Sequence, residues 1–200
     1  MAVGNPDKIK NLFSRLSAIE GAAGNLRGAL FELLVGHLVR SIEGGSIDIG
    51  VLVQDLETGK RAEIDVRMVK ERQLTIYECK GYQPSSVVRA EEISDWLERR
   101  IPVINSAHRS EGRFVSSSVR FEFWTCGTFE EEALRLLEVA KDRTRKYAIE
   151  WKDGPAVRQY ATGIAAPGIR KVLSICSTPG VFGHTGASTD CPCSVILMAS

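Results

Sequence analysis

The chain has 200 residues, 44% of them hydrophobic, and a formal net charge of +1. That is enough for one domain with a real core, and it contains no run of roughly 18 apolar residues that could cross a bilayer. A near-neutral total argues neither for nor against nucleic acid, because a local patch can outweigh it. The opening MAVGNPDKIK lacks the apolar segment of a secretory signal. Five cysteines at irregular spacing favour free thiols over a disulfide framework, and so a cytoplasmic setting.

Residues 6–19 read as a helix, with Ile9, Leu12, Phe13, Leu16 and Ile19 at helical spacing. Gly21 and Gly24 break it, and a second helix is expected at 25–42 with Asn25 as N-cap. Leu26, Leu30, Leu33, Leu34 and Leu38 form its apolar stripe. Glu32 lies off the centre of that stripe, with Gly28 and Gly36 one turn to either side, where small residues let another backbone approach. It reads either as an exposed helical glutamate or as a carboxylate leaning over the sheet. Gly44 and Gly45 end the helix. Residues 46–55 alternate as a strand, placing Ile47, Ile49, Val51 and Val53 on one face and Asp48, an exposed position or a spare acid, on the other. Residues 57–60 are a hairpin turn.

The next stretch, AEIDVRMVKERQLTIYECKG at 62–81, is the centre of the sequence. It reads as two strands joined at Glu71-Arg72, which sets Asp65 directly across from Glu78 with Cβ atoms roughly 5 Å apart. Glu78 and Lys80 share a face and Cys79 points the other way. Leu74 and Ile76 precede Glu78 on its own face, so the strand runs from an apolar surface into a charged one. Like charges opposed on a sheet are destabilising. A divalent cation between the carboxylates would explain them, since magnesium takes oxygen ligands from one or two carboxylates plus substrate phosphate. Lys80 would then face the phosphate or an attacking water.

After a loop at 82–86, a helix is expected at 86–100 on Val87, Val88, Ile93, Trp96 and Leu97. Pro102 and residues 105–118 read as a loop that touches substrate. A strand at 119–126 (VRFEFWTC) leads through Gly127 and Thr128 into a helix at 129–145, packed by Leu134, Leu136, Leu137 and Val139. Together with the preceding strand–helix unit this predicts parallel strands alongside the central hairpin. The basic run Arg135, Lys141, Arg143, Arg145, Lys146, Lys152 and Arg158 reads as a solvated face. Residues 147–151 form a short edge strand, Asp153-Gly154-Pro155 a turn, and 156–175 a last helix interrupted at Pro167-Gly168. From 177 to 190 the composition turns to Gly, Ser, Thr and Pro, as in a flexible tail. Cys176, His184, Cys191 and Cys193 are a zinc set on paper, at a spacing that matches no familiar module. The expected division is a domain at 1–175, with its core at about 24–150, and a tail at 176–200.

Asp65, the Glu78-x-Lys80 pair after a hairpin, and Glu32 in the upstream GALFELLVGHLV helix resemble the PD-(D/E)xK nuclease superfamily, the restriction-endonuclease-like fold, over residues 24–127. Ile64 stands where the motif's proline would precede Asp65. The resemblance implies an α/β fold with a mixed central sheet flanked by helices. It implies a Mg2+ or Mn2+ ion held by Asp65, Glu78 and the backbone carbonyl of Cys79, with Glu32 holding a second ion or its water. Lys80 would orient the water or stabilise charge at phosphorus. Related enzymes often carry a further acid on the next helix, where Glu91 ranks ahead of Glu92 and Asp95. Arg67, Arg89, Arg99 and Arg100 would meet phosphate. The expected function is a metal-dependent nuclease acting on nucleic acid, DNA before RNA, in defence or repair, as a homodimer or with a separate targeting domain and without a membrane. The alternatives are an inactive nucleic-acid-binding module on the same fold, and a surface ion-pair ladder on an unrelated α/β domain.

Overall fold

A computed structural model describes residues 22–110, 112 and 118–162. The helix expected at 6–19, the helix beyond residue 162, and the tail with Cys176, His184, Cys191 and Cys193 lie outside them.

The first described helix, α1 (Ala22–Glu43), is followed by β1 (Ser46–Gln54), β2 (Arg61–Lys70) and β3 (Gln73–Lys80). Then come a short β4 (Val87–Val88), α2 (Ala90–Asp95), one π turn (Trp96–Arg100) and α3 (Ile101–Ser110). The chain continues through β5 (Val119–Thr125), β6 (Thr128–Phe129), α4 (Glu131–Arg143), β7 (Ala148–Lys152) and α5 (Gly154–Thr162). A five-stranded sheet has the order β1-β2-β3-β5-β7, and β4 pairs with β6 in a separate two-stranded ribbon. β1, β2 and β3 are antiparallel neighbours, while β5 and β7 add in parallel. This is the expected mixed α/β sheet, with the hairpin at its centre and β7 at its edge.

Helices cover both faces. One core sets Ile93, Trp96, Ile101, Ile104 and Leu137 of α2, the π turn, α3 and α4 against Leu74, Ile76, Phe121 and Phe123. The other sets Phe31, Leu34, Val35 and Leu38 of α1 and Val157 of α5 against Val66, Met68, Tyr77, Cys79 and Trp124. β3 and β5 are therefore apolar on both sides, as strands buried in the middle of a layered α/β sheet must be.

The hairpin turn is the two residues expected. Lys70 pairs with Gln73, and Glu71 takes a φ of 54°, the left-handed geometry that matches a tight turn to the strand twist. Val87 and Val88, expected inside the following helix, form β4 against β6 instead, and the last described helix starts at Gly154, inside the turn expected at 153–155. Two larger expectations also fail. The alternation of β1 does not hold along its length: Ile47 and Ile49 lie toward α1 against Gly36, whereas Val51 and Val53 pack in the opposite core. β2 does the same, since Ala62 and Ile64 belong to one core and Val66 and Met68 to the other. A regular strand keeps residues two apart on one face. Both strands reverse sides at Gly50 and Asp65, which adjoin in the β1–β2 register, and Gly50 supplies the turn with a φ of 65°.

The second failure is the loop after Arg100. The helix runs through Pro102 to Ser110. Its Ile101 N–H bonds back to the Trp96 carbonyl, five residues earlier, in the π turn. That widened turn sits where an α-helix would have to accommodate the proline ring and its missing donor, and such bulges absorb the disruption.

Candidate active site

β3 ends in charge on the face that carried Leu74 and Ile76. Glu78 is only 3% exposed. Its Oε1 meets the Lys80 Nζ at 2.8 Å and also accepts from Arg100 Nη1. Arg100 reaches Asp65 Oδ1 with Nη2 at 3.3 Å and donates to the Glu63 carbonyl at 2.6 Å. The other Asp65 oxygen accepts the Cys79 backbone N–H at 2.7 Å. Asp65 is thus held where β2 changes faces and the β2–β3 ladder, whose last pair is Val66↔Tyr77, has just ended. The direct opposition of Asp65 and Glu78 gives way to a bridge: one guanidinium spans both carboxylates.

Burial is the main force on Glu78. It lifts the carboxyl from its ordinary 4.5 to about 7, the Asp65 charge adds to the rise, and Lys80 and Arg100 restrain it. For Lys80, burial pulls the ammonium pKa down, but the neighbouring Glu78 and Asp65 charges outweigh it and the net shift is upward. The Cys79 side chain points away into the α1 core, where burial pushes its thiol well up and leaves it an apolar filler.

Glu32 approaches from α1. Partial burial raises its carboxyl, and the Asp65 and Glu63 charges raise it further. α1 comes close because Gly81, just past β3, has no side chain: a Cβ there would stand 2.7 Å from the Arg27 carbonyl and 3.0 Å from the Gly28 Cα. A Cβ on Gly28 itself would meet nothing within 4 Å, so the room expected of Gly28 is given by Gly81 instead, while Gly36 is the helix glycine that β1 side chains approach. Among the described residues, however, no three His, Cys, Asp or Glu side chains gather at metal-binding distance. Asp65, Glu78 and Lys80 come together, and Glu32 shares their field without joining a three-carboxylate cluster. The donor chemistry still fits a hard divalent ion: two convergent carboxylates on one cation, with backbone beside them.

The other candidates disperse. Glu91 is exposed, Glu92 accepts from the Tyr82 hydroxyl and the Arg89 N–H, and Asp95 binds Arg99 at 2.5 Å. Asp48 is exposed and tied to Arg67 at 2.9 Å, across the strand pair. Lys152 leaves the solvated run to meet Glu122 at 3.1 Å. Glu122, 1% exposed on the opposite face, also accepts from Trp124 Nε1 at 2.8 Å. This buried acid is charge-paired and braces β5 to β7. The sequence reading missed it, although a glutamate inside VRFEFWTC was a visible signal.

No family model matches the chain, and no curated protein does. Among solved structures, one similar chain is a protein of unknown function, AF1548, with 19% identity, a TM-score of 0.45, and coverage of 62% of this chain and 58% of that one. Another is the MspJI restriction endonuclease in complex with a 27-mer oligonucleotide, with 17% identity, a TM-score of 0.39, and coverage of 88% of this chain and 36% of that one. The chain therefore spans well under two thirds of either. Among the described residues, no helix is long and apolar enough to cross a membrane.

Proposed function

We propose that the chain is a metal-dependent nuclease of the restriction-endonuclease-like kind, hydrolysing phosphodiester bonds in nucleic acid, with DNA as the first substrate. The observation that carries this reading is Glu78, an acid 3% exposed and set beside a second acid and a lysine. Burying that group costs stability, and the cost has no purpose in a surface ion-pair ladder. Asp65, Glu78 and the Cys79 carbonyl would hold Mg2+ or Mn2+, and Glu32 would stand behind them. The ion supplies charge neutralisation at the phosphate and a bound water of lowered pKa. Lys80, anchored to Glu78, donates to the water or to the oxygen on which charge develops. Arg67, Arg89 and Arg99 lie outside this centre and meet backbone phosphate without reading sequence.

The test is cleavage of supercoiled plasmid and labelled oligonucleotides with Mg2+, Mn2+ or EDTA, with Asp65→Ala alongside. Cutting that requires both metal and Asp65 is expected. Equal cutting by the variant, or cutting in EDTA, defeats the reading.

One observation favours a second reading, an inactive nucleic-acid-binding module on the same fold. The Arg100 guanidinium stands between the two carboxylates that a metal would need. Oligonucleotide binding that is indifferent to Mg2+ and never leads to product is what that reading requires.

A further inference from the structure

The two acids already have a cation. Arg100 bonds Glu78 through one terminal nitrogen and Asp65 and the Glu63 carbonyl through the other. Its side chain is 16% exposed, Asp65's 12% and Glu78's 4%. With both acids ionised, Arg100 and Lys80 together cancel their charge. A dication added to this set would leave a surplus of two positive charges in a largely buried space. If Arg100 withdraws, the surplus falls to one, and the oxygens it occupies become available.

We propose that Arg100 is a resident competitor for the metal: it holds Asp65 and Glu78 together until a divalent cation displaces it. This rests on the nuclease reading above and deepens it by naming the side chain against which the metal must bind. Lys80 is not the competitor, because it bonds Glu78 and not Asp65, whose oxygens go to the Cys79 N–H and to Arg100. Arg100 sits at the last position of the π turn, whose Trp96 and the following Ile101 are the residues packed in the core.

The experiment is calorimetric titration of the full chain with Mn2+, in wild type, Arg100→Met and Arg100→Lys. Arg100→Met is expected to bind Mn2+ at least about tenfold more tightly than wild type, and Arg100→Lys less tightly than Arg100→Met. A merely structural arginine gives the opposite sign, since a damaged site binds metal worse. On the wild type, phenylglyoxal labelling read by peptide mass mapping should modify Arg100 several-fold faster once Mn2+ saturates the site, and this holds the idea to account even if Arg100→Met does not fold. Mn2+ binding with unchanged affinity in Arg100→Met, or with unchanged Arg100 labelling, overturns the competition and leaves the nuclease reading standing. No Mn2+ binding by any form overturns both.

Discussion

The backbone N–H of Cys79 donates to the Asp65 carboxylate at 2.7 Å, so β3 itself holds the acid that β2 presents. The bond asks for an acceptor, not for a charge. Asp65→Asn should therefore stay within about 1 kcal/mol of wild type in denaturant unfolding, whereas Asp65→Ala, which strands that N–H, should lose about 1–3 kcal/mol. Both should lose cleavage. An active Asp65→Asn would show that Asp65 is only a brace.

Lys80→Ala separates catalysis from folding in another way. Glu78 keeps Arg100 when Lys80 is gone, so the loss of stability should be small, about 1–2 kcal/mol. Cleavage should fall by at least about 100-fold, the scale of removing one transition-state donor. Near wild-type turnover would remove Lys80 from the chemistry.

Glu78 makes folding pH-dependent with an unusual sign for an acid. Its folded pKa of about 7 stands above the ordinary 4.5, so between those values the native state binds more protons than the unfolded state. Stability is then highest below the lower value and declines as pH rises toward the upper one. The full span is worth about 3 kcal/mol at one pKa unit per 1.36 kcal/mol. Without metal, wild type should lose stability relative to Glu78→Gln between pH 5 and 8, as followed by urea unfolding at each pH. Parallel curves would mean that Glu78 is ionised throughout.

Gly81→Ala tests the docking of α1. The new Cβ meets the Arg27 carbonyl and the Gly28 Cα, which are backbone and cannot rotate aside. Destabilisation of about 1–3 kcal/mol is expected, with faster amide exchange along α1, and reduced cleavage as Glu32 moves off. Unchanged exchange would mean that the helix tolerates the shift.

Much of this was legible because it depends on local pattern. The Glu71-Arg72 turn, the pairing that follows from it, and the step from Leu74 and Ile76 to Glu78 all come from strand alternation. The reversal at Gly50 and Asp65 was not legible, because identical alternation continues through it while the chain rotates beneath. The helix through Pro102 was missed because proline is a stop signal unless a wider turn absorbs it. Arg100 stood among four arginines with nothing in their spacing to choose it; only the path of the π turn over the sheet does. Lys152 was read with its basic neighbours, but its partner Glu122 lies thirty residues away in the chain.

The π turn also fixes how long this segment must be. It holds one residue more than an α-helical turn would, and each residue turns a helix by about 100°. Deleting one residue between Trp96 and Arg100 would restore a regular helix and rotate everything on one side of the cut. Trp96 on one side and Ile101 with Ile104 on the other are all buried, so a shortened segment would satisfy its hydrophobic contacts and lose the guanidinium, or keep the guanidinium and expose its interior. Chain length here is a coordinate of the site, as binding as the identity of any side chain in it.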